Sequence, residues 1–75
     1  MKIFILHETQ NLLDYNEHEV FTSYDKAKYF FDLVKGRLEL EYPDAEEYTD
    51  EETQDEYYIN AGDTSIRIYI TEHEV

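Results

Sequence analysis

The sequence predicts an α+β fold in the order ββαββ, an antiparallel sheet with one helix packed on one face. Three observations carry that prediction. Short runs rich in Ile, Tyr and Phe lie at both ends of the chain, and one apolar stripe at three- and four-residue steps lies between them. A turn sequence, Ala61-Gly62-Asp63, divides the C-terminal run in two.

Lys2–Glu8 is the first strand. Ile3 and Ile5 point one way and Phe4 and Leu6 the other, so both faces are apolar, as in an interior strand. Thr9–Asn16, with polar residues around Leu12-Leu13, reads as a loop. Glu17–Thr22 places Val20 and Phe21 on opposite faces and pairs back as a hairpin. If His7 stands opposite His18, Glu8 stands opposite Glu17, a like-charge pair that a well-solvated edge must relieve.

Ser23 or Thr22 then N-caps a helix, with Asp25 placed to favour its positive end. Ala27, Phe30, Phe31, Val34 and Leu38 form one apolar face, which Tyr24 extends backwards. Asp25, Lys26, Lys28, Asp32 and Lys35 take the outer face, with Lys28 and Asp32 one helical step apart. Two ends are open to this helix. Gly36 can stop it, leaving Arg37–Tyr42 as a strand, or it runs to about Glu41 and stops before Pro43. Leu38 continues the stripe and favours the longer helix. Glu56–Asn60 and Ser65–Glu72 form a closing hairpin, with Gly62 supplying any positive φ. Ile66, Ile68 and Ile70 face the core, while Ser65, Arg67, Tyr69 and Thr71 face out.

Composition narrows the function. The 75 residues make one domain, 1–75, and carry 6 Lys+Arg against 19 Asp+Glu, a net charge of −13. With 41% hydrophobic residues, including 8 Tyr and 4 Phe, the chain is too apolar for a disordered acidic tail. The sign of the charge excludes direct nucleic-acid binding through phosphates. With no cysteine, disulfides, thiolate nucleophiles and Cys-based zinc sites are excluded. The apolar run before His7 is too short for a signal peptide or a membrane span, so the expected location is the cytoplasm, with no membrane partner.

The strongest candidate surface is the segment from Glu39 to Glu56. Ten of its residues are acidic, and no Lys or Arg lies between Arg37 and Arg67. One reading is a solvated bridge that keeps a small domain in solution. The other is a contact surface. Tyr42, Tyr48 and Tyr57 interleave with the acids, and tyrosine is enriched at interfaces. On this second reading the partner-binding residues are Glu39, Glu41, Asp44, Glu46, Glu47, Tyr48, Asp50, Glu51, Glu52, Asp55 and Glu56. A compact chain of this length has a diameter near 30 Å. Duplex DNA of that length carries about 17 phosphates, the same order as the protein's charge.

Other chemistry is weaker. His7, His18 and His73 are each followed by Glu, but no pair has a recognised metal-ligand spacing, and their convergence depends on strand order. A calcium loop begun at Asp44 needs glycine where Thr49 stands. Carboxylate pairs alone do not make an acid/base site without a pocket that shifts one pKa. The expectation is therefore a protein without enzymatic activity, metal or cofactor.

In size, acidity and Tyr/Glu/Asp texture, the chain resembles the small phage-encoded inhibitors of bacterial defence, the anti-CRISPR proteins and anti-restriction DNA mimics. The stretch Phe21-Thr22-Ser23-Tyr24-Asp25-Lys26-Ala27 and the ending Ser-Ile-Arg-Ile-Tyr-Ile are also similar to many short phage reading frames. The resemblance implies a viral inhibitor that fills the PAM-reading or DNA-binding cleft of a Cas nuclease or restriction enzyme in the host cytoplasm. The alternative is a non-enzymatic interaction module, or a phage accessory protein, whose acidity serves solubility.

Overall fold

A computed structural model describes residues 1–10 and 15–75. The order is β1 (Lys2–Gln10), β2 (Tyr15–Phe21), α1 (Tyr24–Glu41), β3 (Glu46–Thr49), β4 (Glu56–Ala61) and β5 (Thr64–Glu74). All strand pairs are antiparallel, in the sheet order β2-β1-β5-β4-β3. The fold is α+β with one helix on one face of the sheet, as the sequence predicts. The sheet has one strand more than ββαββ requires, because the acidic bridge contributes β3. Both strands of the first hairpin also extend two residues further toward their turn than expected. Thr9 pairs with Asn16 and Gln10 with Tyr15, and the remainder of the expected loop, with Leu12 and Leu13, lies outside the described residues.

Each face follows from the pleat. Leu6 of β1, Tyr57 and Ile59 of β4, and Ile66 and Ile68 of β5 are buried against Phe31 and Leu38 of the helix. Phe21, Val34, Tyr42, Ala45 and Ile70 pack around them. Full burial of one such side chain contributes about 1.5–3 kcal/mol. β1 is interior, between β2 and β5, which explains apolar residues on both of its faces. The second face has no covering layer among the described residues, so Ile3 and Ile5 stay half-buried.

The helix takes the longer of the two expected lengths. It runs through Gly36 to Glu41, and Tyr42 N–H donates to Leu38 O before Pro43. Ser23 is the N-cap by position, but its hydroxyl makes no cap bond; only its carbonyl accepts, from Ala27 N–H. The outer face also differs from expectation. Lys28 lies over the Phe31 ring and Lys35 over the Tyr57 ring, so both flank the core with their stems. Asp25, Lys26 and Asp32 are exposed as expected, and the side turned away from the sheet also carries Tyr29, Leu33 and Leu40. Phe30 leaves the core and stacks on Phe21, while Tyr24 meets Phe4 edge-on. The expected Lys28–Asp32 pair forms at 3.5 Å.

The hairpin register is the one that sets His7 opposite His18 and Glu8 opposite Glu17. Arg37 of the helix relieves the carboxylate pair, reaching Glu8 at 3.3 Å. One thin layer of helix on long strands also stretches the molecule. It measures 40 × 25 × 18 Å, longer than the sphere expected from chain length. Among the described residues, no helix is long and apolar enough to cross a membrane.

Candidate protein-binding surface

The acidic segment is ordered structure rather than a bridge hanging between two elements. Glu39 and Glu41 lie in the last turns of α1, Asp44 in the turn after Pro43, and Glu46, Glu47 and Tyr48 on β3. Asp50, Glu51 and Glu52 open the turn to β4, Asp55 closes it, and Glu56 begins β4. β3 has a hydrogen-bonded neighbour on one side only, so its residues form one long edge of the sheet.

Half of these acids hold the fold. Glu47 accepts a hydrogen bond from the Tyr57 hydroxyl at 2.8 Å. Burial of Tyr57, then that bond, raises its phenol above the ordinary value. Asp55 accepts from the Tyr24 hydroxyl, which is pushed up to about 12 chiefly by that bond. Glu56 pairs with Arg67 at 2.8 Å, and Glu41 with Arg37 at 3.8 Å. The Asp50 carboxylate accepts the backbone N–H groups of Glu52 at 2.9 Å and Thr53 at 3.0 Å. Those bonds favour its charged form and hold its pKa below the usual carboxylate value. They also fix a turn in which Gln54 has φ 58, a conformation that costs a side chain strain. Gln54 N–H donates to Asp50 O, and Lys28 Nζ donates to Gln54 O from the helix.

The other half face water. The carboxylates of Asp44, Glu46, Glu51 and Glu52 make no hydrogen bond or ion pair with any described residue, and Glu39 is exposed beside them in sequence on the last helical turns. Tyr48 stands among them with 58% of its surface exposed. The partition is set by alternation along β3. Glu47 turns toward the helix side, where Tyr57 is buried, and Glu46 and Tyr48 turn the other way. Sequence composition counts all ten acids alike; only the strand register separates them.

Strand order also settles where the histidines lie, which spacing alone left open. All three come to the uncovered sheet face. The His7 and His18 rings are 5.8 Å apart, and His7 stacks on Tyr69 at 4.5 Å. Thr71 Oγ1 lies 2.9 Å from both His7 Nε2 and His73 Nε2. A hydroxyl has one proton to donate, so at least one of these rings must present an N–H to it. Burial, then His18, His73 and Arg67, hold His7 below its ordinary pKa. Among the described residues, no group of three His, Cys, Asp or Glu side chains is arranged to hold a metal.

An open cleft of about 610 Å³ lies between the helix C-terminus and the β4–β5 turn, lined by Tyr42, Asp44, Glu46 and Asn60 among others. In comparison with known proteins, the chain matches no family, no curated protein and no solved structure.

Proposed function

We propose that this protein is a binding inhibitor, a DNA mimic that occupies the nucleic-acid-binding or PAM-reading cleft of a bacterial defence nuclease. One observation carries the reading. The acids without internal partners, Asp44, Glu46, Glu51 and Glu52, gather with exposed Tyr48 along the β3 edge and its flanking turns. Lys28, Arg37 and Arg67 are paired with other carboxylates and Lys35 lies over the Tyr57 ring, so these cations do not neutralise the outward acids.

The molecule's dimensions agree with this role. Its long axis of 40 Å corresponds to a length of duplex bearing about 24 phosphates. Nineteen carboxylates are of that order. Arg and Lys that normally grip DNA would meet the outward acids, and Tyr48 would supply contact area at low entropic cost. Attraction of this kind makes association fast and salt-sensitive. The setting is the cytoplasm of a host bacterium.

The test uses purified Cas nucleases and restriction enzymes with their target DNA. The wild-type protein inhibits cleavage by at least one of them, target DNA competes with it, and rising salt weakens binding. Reversing Asp44, Glu46, Glu51 and Glu52 to Lys abolishes inhibition with the melting temperature retained. Unchanged potency would overturn the β3 edge as the contact surface. An absence of salt-dependent affinity for any basic protein would leave the acids a solvating role only.

A further inference from the structure

The side of α1 facing away from the sheet is built as a seam. Tyr29, Leu33, Gly36 and Leu40 follow one another at steps of four, three and four residues, the spacing of the contact positions in a coiled coil. Their exposure is high, 62% for Tyr29, 51% for Leu33 and 85% for Leu40. Phe30, at 41%, broadens the stripe toward Phe21 of β2. A contiguous apolar strip of this kind marks a contact surface, whereas single exposed apolar residues need no explanation. Gly36 fits the same picture. Among the described residues nothing outside the helix's own backbone lies within 4 Å of where its Cβ would be, so none of them requires a glycine in mid-helix. A second helix can approach most closely there.

The charges beside the strip identify the occupant. Asp25, Asp32 and Glu39 run along one flank, and Arg37 lies on the other. In heptad terms, Asp32 precedes the Leu33 contact position and Arg37 follows the Gly36 position, five residues on. That is the pairing across a parallel two-helix seam. Two copies with helices parallel therefore set Asp32 of each against Arg37 of the other. An antiparallel pair would set acid against acid. Both side chains have room for a second partner: Asp32 remains 62% exposed beside Lys28, and Arg37 53% exposed between Glu8 and Glu41.

We infer that the protein self-associates through the outer face of α1, as a parallel two-fold dimer sealed by Leu33 and Leu40 and oriented by Asp32–Arg37 pairs between copies. This surface lies on the opposite side of the helix from the sheet, so dimerisation leaves the β3 edge of each copy open. Each copy bears −13, and this long-range repulsion opposes pairing. The dimer is therefore weak in dilute buffer and strengthens with salt, opposite in sign to the binding of a basic partner.

Sedimentation equilibrium of the full chain tests the inference. A monomer–dimer equilibrium is expected, with dimer gaining as salt rises from about 50 to about 500 mM. Leu33→Glu and Leu40→Glu each raise the dissociation constant at least about tenfold; neither side chain is buried, so the fold survives, and circular dichroism verifies it. Asp32→Arg or Arg37→Asp alone weakens the dimer, and the two together restore it. Reversing the four outward acids of the β3 edge does not abolish it, which separates this inference from the proposed function. A monomer at every concentration and salt, or a dimer indifferent to Leu33→Glu and Leu40→Glu, would overturn the seam. Failure of the double charge swap to recover what the single swaps lose would overturn the parallel arrangement.

Discussion

Glu46 and Glu47 are chemically identical neighbours on a four-residue strand, yet they belong to different parts of the molecule. Glu47 receives the hydroxyl of a tyrosine whose ring is wholly buried, whereas Glu46 is exposed at the rim of the open cleft. The difference comes from the pleat, which turns successive side chains to opposite faces. An acidic run that looks uniform in sequence is thus two interleaved sets, one holding the sheet edge to the core and one presented outward. Composition is a poor guide to which acid does which, and register is a good one.

The comparison can be broken at four points. The largest expected effect is on the proposed binding: reversing Asp44, Glu46, Glu51 and Glu52 together lowers affinity for any nuclease the protein inhibits about 100-fold or more, read by competition with DNA. Next is stability. Glu47→Ala strips the Tyr57 hydroxyl of its acceptor and costs about 1–2 kcal/mol, whereas Glu46→Ala stays within about 0.5 kcal/mol. Urea unfolding of the two single variants checks this, and equal losses would erase the distinction between neighbours. A smaller gain is expected at Gln54→Gly, which relieves the positive φ and raises stability by up to about 1 kcal/mol, measured the same way.

The smallest effect concerns His7 on the uncovered face. Its folded-state pKa is depressed, so the unfolded chain binds the proton more readily. Its contribution to stability is present above pH about 6.5 and is lost as pH falls toward the folded value. Because all carboxylates also respond to acid, the quantity to measure is the melting-temperature difference between wild type and His7→Gln. That difference moves against wild type between pH 7.5 and pH 5.5, values that bracket the ordinary histidine pKa of about 6.5.

Much of the fold was legible because two periods stand out. Ile66, Ile68 and Ile70 alternate cleanly, and Ala27, Phe31, Val34 and Leu38 keep helical steps, so the last strand and the helix could be placed from pattern alone. β3 escaped because Glu46-Glu47-Tyr48-Thr49 has no apolar face; an edge strand is held by its backbone to β4 and needs none. The outer helix stripe was missed for a related reason. Ala27, Phe31, Val34 and Leu38 suffice to define a core-facing stripe, so nothing in that pattern points to a second apolar strip through Leu33 and Leu40 on the opposite side. Convergence of the three histidines was beyond any local signal, since His7, His18 and His73 meet only through the order β2-β1-β5.

The two strands that end the sheet, β2 and β3, carry Glu17, Glu19, Glu46 and Glu47. Open strand borders invite further strands to add on, and negative side chains there discourage it. Negative charge along both borders thus opposes copies of the sheet joining edge to edge in ribbons.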